Sequence, residues 1–317
     1  MKRAIITGAT GFVGANLAWR LLRDGHEVHL LIRPACDRWR IEAIGRDAAF
    51  HSADLHDPAA VADAVAGIRP EWVFHLAAYG AYSFQNDREE MVRTNVQGTL
   101  NLLEACLKTG FEAFVNTGSS SEYGFKDHAP KETEPVEPNS DYAVTKAGAT
   151  YFCGQMARRH DVRVPTLRLY SVYGPYEEPT RLMPMLIVRG LHDELPPLVG
   201  PELAHDYVAV EDVCNAYLLA ARSGGNDAVY NVGTGVQTTM RRAVEVARKV
   251  LNIKAEPKWG SMPNRSWDTA VWVSDPEKIQ KELGWKPQTA FEEGFRRMAD
   301  WLRSDPEMLK RYEEATR

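Results

Sequence analysis

No run of about 18 uninterrupted apolar residues occurs in this 317-residue chain, so nothing in it reads as a membrane-spanning helix. The opening MKRAIITGAT lacks the apolar stretch of a signal peptide and passes straight into a strand pattern. Cysteine is scarce: Cys36, Cys106, Cys153 and Cys214 lie far apart, with no C-x-x-C spacing. That excludes a disulfide framework and a cysteine zinc site, and it predicts buried, reduced thiols in a cytoplasmic protein. The histidines show no ligand spacing either, so no metal is expected. An excess of positive charge is also missing. The net charge of -5 offers no basic stripe for nucleic acid. Internal repeats and low-complexity segments are absent.

What is present is ordinary in bulk, with 44% hydrophobic and 26% charged residues, and long enough for a large core in two lobes. In the first half, short apolar runs alternate with longer helical patterns. RAIIT, EVHLLI, WVFHLA, EAFVNTG and VRVPTLRLY read as strands buried on both sheet faces. Helices are expected near residues 12–24, 58–67, 88–109 and 141–160. Such alternation predicts a doubly wound α/β fold, a parallel sheet with right-handed crossovers. After about residue 170 the chain becomes Pro-rich and irregular, as in VYGPYEEPTRLMP and HDELPPLVGPEL. DYVAVEDVCNAYLLAA and AVYNVGTG are placed to return it to the sheet.

ITGATGFVG follows the first strand directly and opens the first helix. Gly8, Gly11 and Gly14 permit a tight turn, close approach of backbone amides to a pyrophosphate, and a helix N-terminus facing it. A glycine-rich turn can also serve only to pack helix on sheet. The position between a clear strand and a clear helix favours cofactor binding, with Thr10, Phe12 and Val13 as neighbouring contacts. An NAD site usually carries an acid at the end of the second strand, whereas arginine suits the 2′-phosphate of NADP. Here Ile32 stands in the acid's place, followed by Arg33, with Arg38 and Arg40 beyond. These arginines favour NADP(H), with NAD possible, unless they are simply solvated. The expected division is a Rossmann dinucleotide-binding domain over 1–170 with return segments near 206–234. A smaller, mostly C-terminal substrate-binding lobe takes 171–205 and 235–317.

SDYAVTKAG puts Tyr142 and Lys146 four residues apart, on one face of a helix. Alone, the pair is ordinary surface decoration. In context, TGATGFVG, ADLHD, HLAA, NVQGTLNLLEA, TGSSSEYG, YAVTK and VYGP occur in the order found in extended short-chain dehydrogenases/reductases. With HDYVAVEDV, YNVGTG and LGWKPQTAFEEG further on, the chain resembles the nucleotide-sugar-modifying branch over nearly its whole length. The resemblance implies that Asp54 and Leu55 lie by the adenine, that Leu76, Ala77 and Ala78 line the nicotinamide-side ribose, and that Tyr170 belongs to the cofactor site. It implies Tyr142 as general acid/base, Lys146 as its partner and Ser119 as the catalytic hydroxyl, with Ser120 a near alternative in a run of three serines. Ser120, Ser121, Ser171, Arg181 and Arg265 fall on the substrate side, Arg189 being a further candidate cation. Many relatives carry Asn where Ser171 stands and Arg where His205 stands. Asn95 matches a family position, where it also serves to brace a loop. The helices at 88–109 and 141–160 imply a homodimer built on a four-helix interface.

Converting a sugar carbinol to a ketone removes a hydride from carbon and a proton from oxygen, and the protein must handle the proton. A free Tyr titrates near pH 10, and lowering it by ~3 units requires roughly 4 kcal/mol of differential stabilisation. Lys146, favouring the phenolate, and the positive nicotinamide ring of the oxidised cofactor are together expected to supply it. Dehydratases and decarboxylases of the family carry acids just ahead of the YG pair, where this chain has Ser120 and Ser121. Glu122 either reaches in on a bulge or faces solvent. The expected activity is therefore an NADP(H)-dependent 4-ketosugar reductase acting on a nucleotide-diphosphate sugar. A 4-epimerase with tightly held NAD(P) is the alternative. A non-catalytic dinucleotide sensor is a third reading, although such proteins commonly lose the Tyr or the Lys.

Overall fold

A computed structural model describes residues 1–263 and 269–316. Its centre is a seven-stranded sheet built from β1 (Arg3–Thr7), β2 (Glu27–Ile32), β3 (Ala49–Ser52), β4 (Trp72–His75), β5 (Ala113–Ser119), β6 (Thr166–Leu169) and β10 (Val229–Val232). The spatial order is β3-β2-β1-β4-β5-β6-β10, and every neighbouring pair is parallel. Side chains alternate across such strands. Ile6, Phe74 and Val115 therefore enter a core on one face, while Ile5, Val73 and Phe114 enter the other. Burial on both faces is why these segments read as unbroken apolar runs.

On the first face lie α1 (Phe12–Arg23), α7 (Val210–Ser223) and α9 (Glu277–Leu283), contributing Leu17, Tyr217 and Ile279. The other face holds α2 (Pro58–Ile68), α4 (Thr99–Thr109) and α5 (Asp141–His160), with Val61, Leu103 and Cys153. Strand order reverses between β1 and β4, so the loops after these strands part and leave a crevice at their carboxyl ends. A third core unites α6 (Leu182–Gly190), α8 (Met240–Leu251), α10 (Phe291–Ser304) and α11 (Pro306–Ala315) through Leu186, Val246, Phe295, Met298 and Tyr312.

Three features differ from the sequence expectation. AFHS forms β3, a short, partly exposed edge strand with no apolar run to announce it. The segment at 88–109 is α3 (Arg88–Met91), a π-helical stretch at 92–98 and α4, so its middle is wound more loosely than an α-helix. DYVAVEDV does not rejoin the large sheet. Its β9 (Tyr207–Ala209) pairs in parallel with β7 (Ser171–Tyr173), while β8 (Ala204–His205) pairs with β11 (Thr238–Thr239). Asp206, wholly buried between β8 and β9, ties this region down. Its carboxylate accepts the N–H groups of Thr234 at 2.7 Å, Gly235 at 3.0 Å and Ser274 at 3.0 Å. Among the described residues no helix is long and apolar enough to cross a membrane.

Candidate active site

The glycine loop is shaped by close backbone approach. Gly8 has φ +70°, and a Cβ there would stand 2.5 Å from the Ala77 nitrogen; one on Gly14 would stand 2.3 Å from the Gly8 carbonyl oxygen. The Gly11 N–H closes the turn on that carbonyl at 3.0 Å. Helix α1 then opens at Gly11 with no side-chain cap. Its first-turn amides face the crevice as donors for an anion, which is what a pyrophosphate requires. The loop with Thr10, Phe12 and Val13, together with half-buried Leu76, Ala77 and Ala78 after β4, therefore fits a dinucleotide. Thr7 supports the join: its hydroxyl accepts the Ala77 N–H at 3.3 Å and bonds buried His75 at 2.7 Å. Burial pushes the His75 imidazole down to about 3, so it works as a neutral bridge to the Thr99 hydroxyl.

β5 ends at Ser119, which caps a 3₁₀ turn over Ser120–Tyr123. The Ser119 Oγ accepts the Ser121 N–H at 3.1 Å, and the Ser119 N–H donates to Glu122 Oε1 at 2.8 Å, a reciprocal capping box. Across from it, Ser140 caps α5 by accepting the Ala143 N–H, which puts Tyr142 in the first turn and Lys146 one turn further in. Ser119 bonds the Tyr142 phenol and draws its pKa down, but burial dominates and pushes it up to about 12. Burial also lowers Lys146, against the upward pull of Glu122. Among the chain's own groups desolvation thus outweighs the lowering expected from Lys146 together with an oxidised nicotinamide. Sharing a helix face does not offset desolvation of the phenolate.

Glu122 neither reaches into the crevice nor faces solvent. Its carboxylate is 0% exposed and accepts from Ser119 N–H, from Thr150 Oγ1 at 3.1 Å and from Arg168 Nε at 2.9 Å. The Arg168 guanidinium lies 4.5 Å from the centre of the Tyr123 ring, whose hydroxyl donates to Asn231 at 2.8 Å. Sequence inspection gave no signal for this pair, whose members are 46 residues apart. Asn95 braces a loop: it bonds both backbone polar groups of Tyr79 and donates to Thr145 Oγ1.

Arg181 caps α6 and reaches the catalytic end, where its charge lowers the pKa values of Tyr142, Tyr82 and Tyr207. Its Nε stands 3.8 Å from Oε1 of buried Glu177. The other Glu177 oxygen has no hydrogen-bond partner among the described residues, and burial pushes the acid up to about 8. Ser171 Oγ and His205 Nδ1 meet at 3.1 Å. Tyr170, Ser120 and Trp272 share the lining of a small hollow beside the 3₁₀ turn. Arg189 lies away from this group, bonded to Glu194 and to the Thr316 carbonyl. Arg265 falls outside the described residues.

Where the adenosine was expected, Arg33 stands exposed beyond the last residue of β2 and Arg38 lies over the Phe50 ring. Arg40 is turned elsewhere. It donates to the carbonyls of Thr10 and Tyr176 and pairs with Glu178, pinning the glycine loop to the segment before α6 instead of reaching for a phosphate. Asp54 is half-buried and accepts the His56 N–H, while Leu55 packs against Gly98. Tyr82, from the loop after β4, was not anticipated; its charge environment overlaps that of Tyr142.

A dinucleotide cradle at a strand-order reversal, with Ser119, Tyr142 and Lys146 beside it, defines a short-chain dehydrogenase/reductase-type oxidoreductase. Residues 4–233 match the model of the NAD dependent epimerase/dehydratase family, and the chain belongs to it. It is 31% identical over 319 residues to the UDP-glucose 4-epimerase of Mycolicibacterium smegmatis, covering 95% of this chain and 99% of that one. It is 29% identical over 330 residues to a trifunctional UDP-glucose 4,6-dehydratase/UDP-4-keto-6-deoxy-D-glucose 3,5-epimerase/UDP-4-keto-L-rhamnose-reductase of Arabidopsis thaliana. That match takes in 96% of this chain but 48% of the relative, so the chain spans about half the length of such multifunctional relatives. Among solved structures, the Thermus thermophilus UDP-glucose 4-epimerase complex with NAD superposes with a TM-score of 0.86 at 30% identity, covering 95% of this chain and 99% of that one.

Proposed function

We propose that the protein is an NADP(H)-dependent reductase of a 4-keto nucleotide-diphosphate sugar. The observation that carries this reading is the Ser119 hydroxyl bonded to the Tyr142 phenol, with Glu122, the acid of the Ser119–Tyr123 turn, buried and bonded to Ser119, Thr150 and Arg168. A protonated phenol bonded to a neighbouring hydroxyl can pass its proton to a carbonyl oxygen as hydride reaches the carbon. Bound at the glycine loop, reduced nicotinamide supplies the hydride. Tyr142 delivers the proton to the C4 oxygen, and Ser119 orients that oxygen. Lys146, held next along the helix, keeps positive charge close as the phenol gives up its proton. Dehydration is disfavoured because the carboxylate of the Ser119–Tyr123 turn is committed to Ser119, Thr150 and Arg168.

On the substrate side, Arg181 offers a cation to the diphosphate, with Ser171, Ser120 and Ser121 toward the sugar. Arg33, exposed at the end of a second strand that has no acid there, supports NADP(H) over NAD. Exposed Val92, Val144, Tyr151 and Phe152 lie on the 88–109 and 141–160 helices, and a second copy of the chain covers them in a four-helix homodimer. The four unpaired cysteines suit a cytoplasmic setting.

The test is a panel of UDP-, dTDP-, GDP- and CDP-linked 4-keto-6-deoxy sugars with NADPH, followed by absorbance and by product NMR. Consumption of NADPH with one of them is expected, and none with any of them overturns the reading. Similarity to UDP-glucose 4-epimerases favours a second reading, C4 epimerisation with retained cofactor. Freshly purified protein showing nicotinamide absorbance, and turnover without added NADPH, would select it.

A further inference from the structure

Beneath the proposed catalytic groups sits a charged pair that the reaction as written does not use. Glu122 and Arg168 are both buried, and the carboxylate is in direct contact with the strand end that carries Ser119. Gly118 makes room for it, since a Cβ there would stand 2.7 Å from Glu122 Oε1. A buried ion pair is a poor source of stability, because desolvation offsets most of the attraction, and an apolar pair of similar volume commonly serves as well. The position of this one is informative. One carboxylate oxygen receives both the Ser119 N–H and the Thr150 hydroxyl of α5, the helix that carries Tyr142 and Lys146. The other oxygen is held by Arg168 of β6.

The charges around the two proposed catalytic side chains come from several elements. Tyr142 is faced by Ser119 and Glu122 of the β5 end and its turn, Tyr82 of the loop after β4, Arg181 at the start of α6 and Tyr217 of α7. Lys146 is faced by Glu122, by Cys153 on its own helix and by His75 of β4. Of the carboxylates in this list, Glu122 is common to both residues. Its field favours the protonated form of each, while Arg181 opposes it at Tyr142.

We propose that Glu122 is a positioning residue of the active site, clamping Ser119 toward Tyr142 and placing its carboxylate beneath the Tyr142–Lys146 pair. This rests on Tyr142 and Lys146 being the acid/base pair of the proposed function. The variant that tests it is Glu122→Val combined with Arg168→Met, which removes both charges and leaves no unpaired ion behind. Should that pair not fold, Glu122→Gln with Arg168→Gln is a polar, uncharged substitute. NADPH fluorescence titration establishes that the variant is folded and binds.

The first readout is the Tyr142 ring signal in ¹³Cζ-tyrosine NMR with NADP⁺ present, assigned by its loss in Tyr142→Phe. Its titration midpoint should move to lower pH by about half a unit or more, because the anion favouring the phenol is gone. The second readout is reductive turnover, where kcat should fall about tenfold with KM within about twofold, because Ser119 loses the clamp that positions it in the transition state. Glu122→Asp, which keeps the charge, should hold the midpoint near wild type. A midpoint that does not move in the uncharged variant reduces Glu122 to a structural ion pair and overturns the proposal. Because the NMR measurement needs no sugar, it decides the role of Glu122 even if the chain reduces none of the sugars offered.

Discussion

Glu122 and Glu177 are both buried acids near the proposed catalytic groups, yet the fold treats them in opposite ways. Glu122 accepts three hydrogen bonds, one from a guanidinium, and every oxygen is used. Glu177 faces Arg181 at 3.8 Å, beyond hydrogen-bonding distance, and one of its oxygens has no partner among the described residues. The first can remain an anion inside the protein because its donors replace water. The second responds as an under-supported acid does, by holding its proton up to about pH 8. One site therefore holds a carboxylate paired with a guanidinium beneath the proposed catalytic groups, and the other holds an under-supported acid beside the proposed phosphate-binding arginine.

The sharpest way to break this contrast is to remove one member of the Glu122–Arg168 pair. Glu122→Gln alone leaves Arg168 buried without a counterion and should cost about 3–5 kcal/mol, read as a large fall in melting temperature. A loss below about 1 kcal/mol would mean that the pair is wetter than its burial indicates. The next effect belongs to Glu177. Below its ordinary 4.5, folded and unfolded chains both hold the proton and the site has no cost. Between 4.5 and about 8 the unfolded chain has released it while the folded chain has not, so stability falls as pH rises. Glu177→Gln should therefore gain on wild type by up to roughly 4 kcal/mol from pH 5 to pH 9 in parallel denaturant titrations. Equal pH dependence in both proteins would contradict the assignment. A smaller change is expected for Arg181→Ala, which should raise the KM for the sugar nucleotide about tenfold, some 1.4 kcal/mol, with kcat little altered.

How much of this could be read from the chain depended on whether the signal was local. The glycine loop, the alternation of Ile5 with Ile6 and of Val73 with Phe74, and the i, i+4 placement of Tyr142 and Lys146 are all set by neighbours in sequence. They were legible without coordinates. β3 was not, since a four-residue edge strand with half its side chains in water needs no apolar run. Nor was the partnering of β9 with β7, which depends on Asp206 gathering Thr234, Gly235 and Ser274 from distant segments. Within the site, the family resemblance left Ser119 and Ser120 as alternatives, and it is Ser119 that bonds the Tyr142 phenol. The fates of Glu122 and Arg40 could not be read, because each is decided by a partner far along the chain, Arg168 for one and Thr10, Tyr176 and Glu178 for the other. Desolvation is equally invisible in a sequence, and among the chain's own groups it raises the phenol.

The most direct test is a single-turnover measurement of NADPH oxidation by Tyr142→Phe, with the 4-keto sugar nucleotide that wild type consumes. Loss of the phenolic proton should slow the hydride step by roughly 10²–10⁴-fold, with NADPH affinity unchanged by fluorescence. A rate within a few-fold of wild type would show that the proton comes from another group, and the account of this site would fail.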